Sequence, residues 1–368
     1  MLALAMLASA CALPTDAPNW DMTWNIPIPD NNAMSIGVSS FLPSGVTAIG
    51  NPPTAFSATP ASPPSISRAL GADCAACVVV NGLTSPKPAF TAVPPPTTVN
   101  LASGLTSATL AAGSQVVFTI NNGFNFDPIR PQAGSAVVGT GTVTLTVTNG
   151  AATLGTLTIL GAATAIPAGA ISSFTLPLVG TVSSASPLTV TMTMNSPAGT
   201  AVLINTTQVF SVSALPTVNI SSASVTILAQ AVNAPPTAVD MSKIDSTIIN
   251  RIQNDATNRG TMFLTITNPF TIGGAMNITF SSPTGTPAAQ VITPITKSVT
   301  LTAAANGTTP NVTTSSLNFT GIELRKILGH NLQAAFGGNT SAGLLTVTPS
   351  QKVGVTSRMQ LNFTVREQ

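Results

Sequence analysis

The amino-acid sequence predicts a mainly β protein of tandem antiparallel β-sandwich units with one or two short helices. Three observations predict it. Val, Ile and Thr, which suit pleated and half-buried strands, are abundant. From residue 101 onward apolar residues alternate with Thr, Ser and Asn at period 2, the pattern of sheets with one wet face. Gly, Pro and Asn bound these runs where turns are needed. The 368 residues suffice for two or three domains, and 44% apolar content supplies a core.

Charge is the compositional anomaly. Only 6% of residues are charged, against about a quarter in ordinary soluble domains. None lies between Pro131 and Val239, and 14 of the 22 fall from Asp240 onward. A disordered chain shows the opposite bias, so the composition indicates a folded, extracytoplasmic protein. The net charge of +2 is spread without a Lys/Arg cluster, which excludes a nucleic-acid footprint.

The elements follow in chain order. "MLALAMLASAC" places an apolar run and Ala8, Ser9 and Ala10 before Cys11. This resembles the lipobox of bacterial lipoproteins, with Ala8 where the family has Leu and with no basic residue ahead of the run. The resemblance implies a signal peptide over 1–10, lipid attachment at Cys11 and a tether over 11–19. Ala12 after the cysteine suits outer-membrane delivery; without the anchor the protein is secreted.

Residues 20–134 read as a Pro-rich, irregular N-terminal β region. Trp20, Trp24, Ile26 and Ile28 share one parity, and Pro27 and Pro29 mark an edge strand or strand end. Pro94, Pro95 and Pro96 form a stiff connector. With Cys11 set aside, Cys74 and Cys77 remain as an even pair, which suggests a disulfide in an oxidising compartment. A zinc site would need two ligands beyond this pair, and the only other thiol is Cys11, already assigned to lipid, and the only histidine is His330. Val78, Val79 and Val80 read as strand, against a thioredoxin-type helix start.

Residues 135–234 form a first sandwich unit and 240–368 a second with helical insertions. "GTVTLTVTN" (141–149) matches "GTMFLTITN" (260–268), with "VFTINN" (117–122) a weaker relative. "LPTVNISSASV" (215–225) falls opposite "SRMQLNFTV" (357–365), at an offset of 143 against 119 for the first match. Two helices are expected. Residues 240–259 stack Ile244, Ile248 and Ile252, with Ser242 and Asp245 as cap. Residues 319–338, the least strand-like part of the second unit, carry a capping box at Thr320 and Glu323 and a Gly329 stop.

"LTITNPFTIGG" (264–274) resembles the sandwich domain of LEA14-like, water-stress and hypersensitive-response proteins. That resemblance implies immunoglobulin-like units without catalytic activity.

Chemistry-bearing constellations are scarce. His330 sits at an expected helix end without a G-x-S-x-G partner, Tyr is absent, and the acids are scattered. No catalytic, cofactor or metal residue is assigned. The expectation is a non-enzymatic, lipid-anchored cell-envelope protein with a structural or binding role. Its partners would be the membrane, through the anchor, and a surface protein or polysaccharide; its oligomeric state is open. The alternatives are an outer-membrane β-barrel, opposed by the missing Tyr girdle, and a secreted enzyme.

Overall fold

An extended chain whose residues alternate in polarity buries one face and leaves its backbone donors and acceptors to be matched sideways. In Thr142–Asn149 every second residue is buried and the threonines between them stay near the surface. The same pattern builds most of the molecule. The computed structural model describes residues 19–27, 34–42, 45–58, 65–102, 104–131, 141–307 and 309–366. Cys11, the 1–10 signal and Ile28 lie outside these residues, as do the side chains of Trp20 and Trp24.

Six strands organise the first unit: β1 (Gln115–Asn122), β2 (Thr142–Asn149), β3 (Ala152–Leu160), β4 (Ile171–Pro177), β5 (Leu188–Ser196) and β6 (Val209–Ile227). They pair antiparallel in the orders β4-β1-β6 and β3-β2-β5. Six more organise the second: β7 (Asn258–Asn268), β8 (Gly274–Ser281), β9 (Ile295–Leu301), β10 (Asn311–Thr320), β11 (Asn331–Thr340) and β12 (Lys352–Arg366). Their orders are β10-β7-β12 and β9-β8-β11. Buried Phe118 of β1 and Leu145 of β2 in one unit, and Leu264 and Ile278 in the other, come from opposed sheets. The protein is a β-sandwich of open antiparallel sheets. Among the described residues no sheet closes on itself, so the barrel alternative is not this fold.

The connectivity of β1–β6 is that of β7–β12, strand for strand. The register agrees as well. Asn122 faces Phe210, and Thr267 faces Gly354, so Asn268 stands next to Val353. Phe210 and Val353 are 143 positions apart, the offset of the last strands in sequence. The match between 141–149 and 260–268 is different. β2 lies between β3 and β5, whereas β7 lies between β10 and β12. The strand in the place of β7 is β1, which ends in "VFTINN".

Both first strands end in a buried asparagine with one task. Asn122 Nδ2 donates to the carbonyls of Phe126, Ile166 and Pro167, and its Oδ1 accepts from Phe124 N–H. Asn268 Nδ2 donates to the carbonyls of Ile272 and Thr302, and its Oδ1 accepts from Phe270 N–H. Each side chain satisfies backbone groups of a turn that has left the ladder, where an unpaired buried group is costly.

The N-terminal strands are shared between the units. Asn19–Pro27 and Met34–Gly37 pair with the free edge of β12, and Ser65–Ala69 pairs with β6. Asn19–Pro27 is the outermost strand of its sheet, as Pro27 requires. The second half of β6 carries Leu105–Leu110 on one edge and Ala55–Ala58 and Gly343–Val347 on the other. One continuous strand of 19 residues thus joins the two units.

Among the described residues there are four α-helices: α1 (Leu70–Asp73), α2 (Ala75–Val79), α3 (Ser246–Arg251) and α4 (Gly321–Ile327). α4 has the expected capping box, and Gly329 takes φ +80 just after it. Three expectations are corrected. Of residues 319–338, read as the least strand-like stretch, those from Asn331 onward belong to β11, because pairing with β8 outweighs their Gly and Ala content. The helix read over 240–259 is only six residues long. Asp245 caps it by accepting from Thr247 N–H, and Asn258 already begins β7. Val78 and Val79 are helical rather than extended, since Cys74 caps α2 by accepting from Cys77 N–H.

Candidate binding cleft

A cleft of about 560 Å³ opens at the end of the second unit. Three segments wall it: Pro283–Gln290 between β8 and β9, Ser242 after the strand Thr237–Asp240, and Gly329, His330 and Asn331 between α4 and β11. Each wall is fixed locally. Pro283 O accepts from both Thr286 N–H and the Thr286 hydroxyl, and Gly285 supplies the φ of +85 that this tight turn needs. Ser242 donates its hydroxyl and N–H to Asp240, and the hydroxyl bond is the main reason the Asp240 carboxyl sits below the usual range. The His330 carbonyl accepts from Met241 N–H, and Gly329 N–H donates to the Met241 carbonyl.

The side chains of Thr284, Gln290, His330 and Asn331 make no hydrogen bond within the described residues. No charged side chain lines the cleft. The arrangement offers amide, hydroxyl and imidazole groups, donors and acceptors alike, to an uncharged hydrogen-bonding ligand. Imidazole and hydroxyl groups line it together, His330 with Ser242, Thr284 and Thr286, and the Ser242 hydroxyl is committed to Asp240. His330 was legible in sequence as the sole histidine; Thr284, Gln290 and Asn331 were not.

Other charged groups are committed to structure. Lys87, 2% exposed, donates from Nζ to the carbonyls of Asp127, Pro128 and Arg130 and to the Ser196 hydroxyl. The same ammonium lies 5.3 Å from the centre of the Phe126 ring. Burial pushes its pKa down to about 8, with the Asp127 charge opposing. Asp127 accepts from Ile129 and Ile166 N–H, and Arg130 Nε donates to the Gly161 carbonyl. This cluster ties down the 127–130 turn. Glu323 closes the α4 capping box and pairs with Lys297 at 2.7 Å. Burial works against its carboxylate, but the bonds from Lys297 and Thr320 outweigh it and hold the pKa below the usual range. Among the described residues no three His, Cys, Asp or Glu converge as metal ligands.

Cys74 and Cys77 form a disulfide, both buried, under α2. The outer face of β3-β2-β5 is a grid of threonines. Thr158, Thr144 and Thr193 make one row, Thr156, Thr146 and Thr191 the next, and Thr148, Thr189 and Thr98 a third.

No protein-family model matches the chain, and no curated protein does. Among solved structures, a protein assigned as secreted from Parabacteroides distasonis aligns over 92% of this chain and 99% of its own, at 8% identity and a TM-score of 0.28. The tandem CBM22 region of Paenibacillus barcinonensis Xyn10C aligns over 91% and 98%, at 7% identity and a TM-score of 0.16. The VP2 subviral particle of infectious bursal disease virus aligns over 95% and 72%, at 11% and 0.16. Scores at this level carry no functional argument.

Proposed function

We propose that this chain is a non-enzymatic cell-envelope protein, anchored through lipid at Cys11, that binds a neutral polysaccharide in the cleft beside His330. The observation that carries the reading is the lining of that cleft. Four polar side chains around one concavity make no hydrogen bond among the described residues, and no Asp, Glu, Lys or Arg lines it. A ligand dense in hydroxyls and free of charge matches such a wall, whereas an anionic or cationic one would pay desolvation without a counter-charge. The two units are read as copies of one immunoglobulin-like unit. Support comes from the shared connectivity, the common offset of 143 and the matched asparagines Asn122 and Asn268.

Titration calorimetry of the full chain with a neutral glucan hexaose and with an acidic glycan tests the ligand class. Binding of the neutral sugar, lost in His330→Ala/Asn331→Ala and unaffected by salt, is expected. Preference for the acidic glycan, or neutral binding that survives the double variant, overturns it. Intact mass of the membrane-extracted protein tests the anchor. Residues 11–368 plus a diacylglyceryl and an acyl group are expected, and an unmodified chain beginning at Met1 refutes it.

A further inference from the structure

The seam between the two sheets differs between the units. In the first, Val179 N–H, just past β4, donates to the Leu154 carbonyl of β3, and Phe174 of β4 packs on the core. In the second, β9 and β10 are tied at the ends of the seam. Lys297 of β9 pairs with Glu323 just beyond β10, and Asn311 Nδ2 donates to the Ala303 carbonyl. Between these ties lies a groove of about 420 Å³, into which β10 turns Thr313 and Ser315. β10 is also the last strand of its sheet, and its ladder with β7 runs from Phe319 to Asn311 without a register shift. Among the described residues no backbone group of 312–319 is bonded on the side away from β7. Sheet edges are normally guarded by charge, Pro, a bulge or shortness. Asn19–Pro27 has Asp21 and Pro27, β3 bulges between Thr153 and Gly155, β4 ends in Pro177, and β9 turns Lys297 inward. Other edge strands, such as Ser65–Ala69 and Gly343–Val347, are five residues or shorter. β10 is the longest edge, at 10 residues, and has none of these guards.

We propose that β10 pairs antiparallel with β10 of a second copy across a two-fold axis, closing a dimer through one continuous sheet. Three observations select that occupant. The exposed side chains of β10, Val312, Thr314, Ser316 and Asn318, carry no charge and no aromatic ring by which a different sequence could be recognised, so the pairing rests on main chain. Two-fold antiparallel pairing brings this row onto itself. With the axis at Thr314 or Ser315, hydroxyl side chains face hydroxyl side chains on both faces, a pairing that stabilises sheets. A strand added beyond β10 also passes the end of the facing sheet β9-β8-β11. Its inner side chains there meet water, which suits Thr313 and Ser315 and would not suit an apolar strand. The guards on the other edges stop assembly at two copies, where a second open edge would give a fibre. The contact is one strand long, so the dimer is weak. It is independent of the cleft beside His330 and of the lipid anchor.

The test is sedimentation equilibrium of the full chain, carrying Cys11→Ala, over a wide range of concentration, with amide hydrogen exchange on the same samples. A reversible monomer–dimer equilibrium is expected, with exchange in 312–319 slowing as the dimer forms. Thr314→Lys/Ser316→Lys sets like charges against each other across the axis and should weaken the dimer about tenfold. Both positions are exposed, so an unchanged melting temperature of the dilute protein shows that the variant folds. Thr156→Lys/Thr158→Lys, on the β3 edge, should leave the dimer intact. Four results overturn the proposal: a monomer at every concentration, a dimer equally stable in the Thr314→Lys/Ser316→Lys variant, growth beyond two copies, or residues 312–319 already protected in the dilute monomer. The last would assign the edge to a segment of the same chain.

Discussion

Replacing Asn268 by Ala should remove most of the stability that the turn after β7 contributes. The side chain is 1% exposed and makes two donated bonds of 2.8 Å and one accepted bond of 3.0 Å. Each such bond is worth about 1 kcal/mol net, and each buried group left unpaired costs about 1–3 kcal/mol. Three orphaned backbone groups, partly rescued by entering water, give a loss of about 3–5 kcal/mol. For units of this size that is a fall of about 6–20 °C in melting temperature. Asn122→Ala should cost the same. Its amide faces three carbonyls but has only two protons, so it too makes three full bonds. Calorimetric scans of both variants check this. Losses below about 3 °C in either, or a large loss in one alone, would refute the idea that the two asparagines do equivalent work.

Lys87 should give the stability curve an alkaline arm. Its folded pKa of about 8 lies below that of an unfolded lysine, so between pH 8 and about 10.5 the unfolded chain binds more protons and stability rises with pH, by up to about 3 kcal/mol. Urea titrations across that range should show the rise, and Lys87→Met should abolish it. Glu323 acts at the other extreme: its depressed pKa means stability is present above the unfolded value and is lost as pH falls through the folded one. Glu323→Gln should flatten the acid limb and cost about 1–2 kcal/mol at neutral pH through the lost cap and ion pair. Cys74→Ser/Cys77→Ser should lower stability by about 2 kcal/mol, the modest value for so short a loop, as read by chemical denaturation.

The sheets were legible because Thr–Val alternation leaves one pairing face only, and the capping box at Thr320 is a local signal that survives packing. Val218 and Leu361, aligned at the offset of 143 in the sequence, sit on matched parities of β6 and β12. The first correspondence misled because cheap Thr/Val repetition made β2 look like β7. The informative residue was Asn122, whose role depends on a turn that composition does not reveal. Val78 and Val79 defeated propensity because a five-residue helix is set by the Cys74 cap and the disulfide beneath it. The cleft was invisible because its lining comes from three stretches well separated in sequence, at Ser242, Pro283–Gln290 and Gly329–Asn331, and none of them carries a motif.

The pairing of Asn19–Pro27 with β12 also bears on how the molecule is made. Thr23 bonds to Asn362, 339 positions away, so the strand Asn19–Pro27 cannot find its place until β12 has emerged. The first unit, by contrast, has its six main strands in hand once residue 227 is out. Such long-range closure is slow. A chain emerging residue by residue would therefore complete the first unit early and carry an unclosed second unit until β12 is out.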